Sequence, residues 1–227
     1  MRTKLHIFLI AVYSLISACK NQWKEPVEVN FYQQITNSSA STVNVDFAQT
    51  TIEEISFEGT REQGQKNVVL AKKYENGLPV SFNGSSSYTG ITMDIPQGTY
   101  TRIGIKIKLI SLDGSPSFEI SGNYVDPGTN DTLDVLVQYY GEDYIEFTAD
   151  IPEGSTGINL IAGIKSSATL DFNAVGWFIP VTSEIISEAE ISTINGKKTI
   201  IISPTSNSNF YLLLSSGLKN SNKVTIQ

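Results

Sequence analysis

The chain has 227 residues, a formal net charge of −7, one histidine and one cysteine. His6 and Cys19 both lie near the N-terminus, so a chain cut before Cys19 keeps no histidine and starts on its cysteine; that excludes a Ser-His-Asp triad, a Cys-His dyad, zinc held by His or Cys, haem, an iron–sulfur cluster and a disulfide framework. The acidic balance also excludes nucleic acid as the expected partner, because phosphate binding needs clustered positive charge.

In chain order, Arg2 and Lys4 precede a run from Leu5 to Ile16 that is apolar apart from His6 and Ser14. The run is too short to cross a bilayer, which takes ~20 helical residues, so it reads as a secretory signal. It ends in Ile16-Ser17-Ala18-Cys19. This resembles the lipobox of bacterial lipoproteins, an aliphatic residue, two small residues and then Cys. The resemblance implies a signal peptide over residues 1–18, a diacylglycerol on the Cys19 thiol as the only cofactor-like group, and a lipidated tether over residues 19–26. It places the protein in the bacterial cell envelope, lipid-anchored at the outer membrane. Several acyl chains, as that family carries, make such anchoring stable. In some outer membranes surface display depends on acidic residues just after the Cys; here the stretch is Lys20-Asn21-Gln22-Trp23, so the side faced stays open. Lys20 to Pro26 reaches at most ~25 Å, which keeps the folded domain close to the bilayer. Trp23, Lys20 and Lys24 suit the headgroup level, and suit a plain polar linker equally.

From Val27 onward the hydrophobic period is two. Strands are expected at Val27–Ile35, Thr42–Thr50, Glu54–Glu58, Lys66–Lys73, Tyr88–Ile95, Thr99–Leu112, Ser117–Val125, Thr132–Tyr140, Tyr144–Ile151, Ile158–Ile164, Thr169–Phe178, Ala189–Ile194 and Thr199–Ser203. Turn chemistry separates many of them, for example Asn76-Gly77, Asp113-Gly114 and Asn195-Gly196. A type I′ turn at Asp113-Gly114 sets Leu109 against Phe118, Ile107 against Ile120 and Lys108 against Glu119. A second hairpin around Gly141-Glu142 sets Tyr139 against Ile145, Val137 against Phe147 and Asp134 against Asp150. A third at Asn195-Gly196 sets Ile191 against Ile200 and Ala189 against Ile202. Ser183 opens a short helix; Asn209–Leu218, with no clear period, is open between helix and strand and leans to a short helix with Gly217 as C-cap. The fold class is all-β, an antiparallel β-sandwich over residues 27–227 with one or two short helices near the C-terminus. In outline, with its Trp177-Phe178 strand end, the chain resembles β-sandwich lipoproteins of Bacteroidota.

Four constellations carry candidate chemistry. Asp126, Asp131, Asp134 and Asp150 would offer calcium an irregular oxygen site if the second hairpin forms; otherwise they are a solvated sheet end. Leu136, Tyr140 and Tyr144 form an outward patch able to stack on sugars or anchor a protein, or a face buried by a second layer. Arg102, Lys106 and Lys108 line one face of a long strand. Asp131-Thr132-Leu133 resembles the O-glycosylation acceptor of secreted Bacteroidota proteins, with Thr132 as acceptor.

The expected function is a non-catalytic binding or structural module on a membrane surface, with an envelope protein or glycan as partner and no enzyme activity. Two alternatives belong to other classes. One is a fimbrial or adhesin subunit assembled by strand exchange after cleavage near Arg61. The other is a carboxylate-dependent carbohydrate-active enzyme, which needs two acids ~5 to 9 Å apart in a sugar-shaped cleft.

Overall fold

A computed structural model describes residues 23–36, 42–220 and 222–227. The expected signal peptide and Cys19 lie outside the described residues. The period-two pattern does make strands: along β1 (Pro26–Thr36) Val27, Val29, Phe31 and Ile35 point inward, and along β5 (Gly98–Leu109) Ile103, Ile105, Ile107 and Leu109 do the same. The chain is all-β with three short helices among the described residues.

The seam of the fold is the 18-residue strand β2 (Asn44–Arg61). One edge of it pairs with β3 (Asn67–Asn83) almost throughout. The other edge pairs with β6 (Phe118–Val125) over its first part and with β5 over its second. Two arms start from there. The first runs β6, β7 (Thr132–Tyr139), β12 (Lys197–Ile202), β11 (Ile191–Ile194); the second runs β5, β8 (Tyr144–Ala149), β13 (Asn222–Ile226), β10 (Ser166–Asn173), β1, β4 (Ser87–Pro96). A short β9 (Ile158–Leu160) pairs with the start of β5. The pairs β1/β10, β7/β12 and β8/β13 are parallel, so the sheet is mixed.

The arms fold over one hydrophobic core, which makes the architecture sandwich-like. Phe172 of β10 is the hub. Its ring lies 4.6 Å from Phe82 of β3, 5.6 Å from Phe118 of β6 and 5.0 Å from Phe147 of β8. Trp177 closes the cluster edge-on to Phe118 at 5.8 Å.

Two expected hairpins are corrected. Asp113-Gly114 does turn with both residues at positive φ, and Ser115 N–H donates to the Leu112 carbonyl at 2.8 Å. The turn closes a protrusion of residues 110–117 rather than a hairpin. The protrusion is pinched on Thr51, whose N–H donates to Ser117 O (2.9 Å) and whose carbonyl accepts from Ile110 N–H (3.0 Å). β5 and β6 therefore lie end to end along β2, with Leu109 beside Ile52 and Phe118 beside Thr50. Lys108 pairs with Glu53 at 2.7 Å, not with Glu119. The second hairpin is likewise a crossing between arms: Tyr139 lies beside Phe118, and Ile145 beside Ile107. The physical reason is parity. Once two strands alternate in phase, an apolar face matches whether they pair with each other or each pairs elsewhere.

The Asn195-Gly196 hairpin forms with Ile191 opposite Ile200. Its pairing stops at Ile191, because Glu190 N–H donates to Asn207 Oδ1 at 2.8 Å; Ala189 does not meet Ile202. Asn76-Gly77 does not end a strand. It lies in a bulge where residues 74–77 sit against Glu53 alone, and Gly77 takes φ +66° there. Trp177-Phe178 is not a strand end but part of helix α1 (Ala174–Phe178), started by Asn173 Oδ1 accepting from Gly176 N–H. Helix α2 (Ser183–Ile186) is capped by Thr182, one residue earlier than expected.

The C-terminal helix α3 (Ser208–Asn220) forms as expected. Gly217 lies inside it rather than capping it. A Cβ there would come 2.9 Å from Trp177 Cα, so this glycine is where α3 and α1 touch backbone to backbone. β13 was not expected. Asn222 fixes its start: its Oδ1 accepts from Trp177 Nε1 (3.2 Å) and its Nδ2 donates to Leu218 O (2.7 Å), all buried. No helix among the described residues is long and apolar enough to cross a membrane.

Candidate binding face

The outer face of the first arm is built in three transverse rows set by strand register. The middle row is Phe47, Ser121, Leu136 and Ile201, on β2, β6, β7 and β12. Phe47 is 40% exposed because a bulge between Val45 and Phe47 turns both Asp46 and Phe47 outward. On one side runs a ladder of amides and a carboxylate: Gln49 and Gln138 each donate to Glu119 at 3.0 Å, and Tyr140 OH donates to Gln138 Oε1 at 3.3 Å. On the other side Asn44 and Asn123 donate to the two oxygens of Asp46 (3.1 and 3.0 Å), and Asp134 faces Lys197 at 3.6 Å. The β11–β12 turn rises beside this second row. Together they leave an open groove of about 420 Å³ lined by Asp46, Ser121, Asp134, Leu136, Asn195 and Lys197.

The chemistry is that of a strip of apolar surface between two rows of planar, pre-aligned hydrogen-bonding groups. The side chains of those rows are tied to one another by these contacts, which restricts their orientation before anything binds.

The expected site residues are distributed differently. Asp134 and Leu136 lie in the groove. Tyr140 stands exposed beyond the Gln138 end of the face, away from the groove, and Tyr144 is on the other arm beside Lys108, so the two tyrosines do not form a cross-strand pair. Asp134 and Asp150 do not face each other. Asp131 pairs with Lys198 at 2.9 Å, Asp134 with Lys197, and Asp150 with Lys223. Asp126 turns back on its own loop; Gly128 N–H donates to it at 2.8 Å and holds its carboxyl below the usual range. Among the described residues no three His, Cys, Asp or Glu side chains gather as a metal site. The lysines thus take the neutralising role that calcium would have had.

Lys106 lies 3.5 Å from both Glu58 and Glu146, which, with Lys108–Glu53, turns the basic line of β5 into a mixed-charge surface. Thr132 is exposed at the start of β7. Phe47 and the Gln49–Glu119–Gln138 ladder were missed. The signal for Phe47 is in the sequence: Val45 and Ala48 are both apolar with two residues between them, a break in parity that marks a bulge.

Arg61 is 4% exposed, and its guanidinium is bound by three carbonyls. Nε donates to Gln65 O (2.8 Å), while Nη1 donates to Trp23 O (2.7 Å) and to Gln97 O. Tyr100 packs beside it with its hydroxyl on Pro96 O; burial pushes that hydroxyl up to about 12 against the pull of the Arg61 charge. Cleavage after Arg61 would have to draw this side chain out of its cradle, and would cut the link between β2, which ends at Arg61, and β3.

A second cavity lies under α3. It is a slit of about 20 Å³ lined by Phe118, Val137, Tyr139, Trp177, Leu214 and Leu218. That is room for about one water in a mostly apolar lining, so it is a packing gap. At its rim Asp143 joins Tyr139 OH to Lys219 of α3, with Lys219 at 2.8 Å. The Lys219 bond, then the Tyr139 bond, hold the Asp143 carboxyl below its usual value near 3.8. A lowered carboxylate pKa stabilises the fold above the ordinary value, and that contribution is lost as pH falls through the folded value. Acid titration from pH 5 to 3 is expected to weaken the native protein, and Asp143→Asn to flatten part of that slope. A variant with the unaltered slope would show that the contact does not couple to folding.

Comparison of the chain with protein-family models, with curated proteins and with solved structures returns no match.

Proposed function

We propose that the protein is a lipid-anchored cell-envelope lipoprotein that acts as a non-catalytic binding module, and that a neutral glycan chain is the ligand of its groove. The observation that carries this is the mostly apolar row Phe47–Ser121–Leu136–Ile201, whose Ser121 and Leu136 enter the groove and whose Phe47 and Ile201 extend the surface beyond it, set between two amide–carboxylate rows. Sugar rings present C–H faces to apolar and aromatic surface, and hydroxyls to planar carboxylates and amides. The groove is open and shallow, which suits a chain better than a compact metabolite. The carboxylates of both rows are engaged by neighbouring amides or a lysine, which supports binding over bond cleavage.

Two measurements test the reading. A glycan array probed with the purified protein should show selective binding, and Phe47→Ala should weaken the best hit about tenfold, which is about 1.4 kcal/mol. Binding that survives Phe47→Ala unchanged moves the ligand elsewhere, and an array with no hits removes the glycan. For the anchor, labelled palmitate should enter the wild-type chain and not Cys19→Ala, which should leave the membrane fraction.

A further inference from the structure

We infer that the turn Ile161-Ala162-Gly163-Ile164 is a second membrane contact, seated in the headgroup boundary of the bilayer that holds the anchor. The inference rests on lipidation of Cys19 as proposed above. The turn is closed by Ile164 N–H donating to Ile161 O at 3.1 Å, with Gly163 at φ +79°. It presents two isoleucine side chains to solvent, Ile161 at 53% and Ile164 at 58% exposure. These two β-branched aliphatics flank one tight turn and lie outside the hydrophobic core, and large apolar side chains grouped on a surface mark a contact site.

The geometry indicates what that contact is. Ala162 N–H donates to Gln97 Oε1 at 3.1 Å. Gln97 is also the residue that fastens the incoming chain: its N–H donates to Glu25 O at 2.9 Å, and its carbonyl accepts from Arg61, which holds Trp23 O. The isoleucine turn and the point where the tether docks are therefore bridged by one residue, Gln97, through its side chain on one side and its backbone on the other. From Trp23 back to Cys19 is four residues, at most ~14 Å of extended chain. An acyl chain on Cys19 cannot enter a bilayer without bringing this end of the domain down to the surface. The flanking groups suit that level: Lys24 and Lys66 are exposed at the same end, and Lys165, next to Ile164, carries an ion pair to Glu28 at 2.6 Å while its side chain stays largely exposed. Two isoleucines are too little apolar surface to hold a protein on a membrane alone. Added to an acyl anchor, they fix which way the domain stands.

The test uses the intact lipoprotein reconstituted into vesicles of phosphatidylethanolamine and phosphatidylglycerol, with the unacylated Cys19→Ser chain in buffer as reference. Amide hydrogen exchange across residues 161–165 should slow about tenfold in the vesicle sample, as expected for amides withdrawn from water. Ile161→Ser/Ile164→Ser should remove that slowing without lowering the melting temperature, because both positions are exposed. An acylated, vesicle-bound protein whose turn exchanges as fast as the reference overturns the inference and leaves the anchor intact. A full-length chain that carries no acyl group overturns the anchor itself, and the inference with it.

Discussion

Arg61→Ala is expected to lower the melting temperature by about 10 °C. Hydrogen bonds from a charged donor contribute about 1.5–3 kcal/mol each but are not additive when one side chain makes all three. A total loss of about 3–4 kcal/mol follows, and a domain of this size shifts about 2–4 °C per kcal/mol. The loss has two parts. The carbonyls of Trp23, Gln65 and Gln97 are left without their donor, and the space beside Tyr100 is left partly empty. Arg61→Lys should recover less than half of it, since an ammonium cannot reach three carbonyls in the planar fork that a guanidinium offers. Thermal melts of the three proteins decide the matter. A shift under about 2 °C for Arg61→Ala would mean that the cradle is solvated and that the tether is not held.

Phe172→Ala is expected to cost about 3–5 kcal/mol, the usual range for a large aromatic removed from a core. Its ring lies against Phe82, Phe118, Phe147 and Trp177, so it joins β3, both arms and α1. Urea unfolding should show the midpoint falling with little change in slope, because the surface exposed on unfolding is nearly the same. Phe172→Leu should restore most of the loss. A cost below 1 kcal/mol for alanine would contradict a single core shared by the two arms, and two separable transitions would do so outright.

The strands were legible because burial on one face writes a period of two into the sequence, and thirteen expected strands cover most of the observed ones. Pairing was less legible. At Asp113-Gly114 the turn residues were read correctly and the partner was not, since the same alternation fits a hairpin and a protrusion pinched on Thr51. β2 was read as two strands because Thr51 to Glu53 interrupt its pattern, at the place where its neighbour changes from β6 to β5. β13 was invisible: Asn-Lys-Val-Thr-Ile is five residues with one deeply buried aliphatic, and it becomes a strand by filling the space between β8 and β10. Of the binding face, the sequence points to Asp134, Leu136 and Tyr140. It does not point to the Gln49–Glu119–Gln138 ladder, because those residues are far apart in sequence and ordinary in type, and only register brings them together.

The placement of β1 has a mechanical consequence. It is an interior strand, hydrogen-bonded to β10 on one side and β4 on the other, and the chain enters it at Pro26. A pull on residues upstream of Trp23 acts lengthwise along β1. The bonds on both edges then bear load together, in shear, instead of parting one after another as they would in a peeled edge strand. Before that load reaches the strand it must break the bonds of Arg61 and Gln97 to Trp23 and Glu25. A force applied between the N-terminal tether and the groove at the far end of β2 therefore meets a fuse at Arg61 first and a shear-loaded joint behind it.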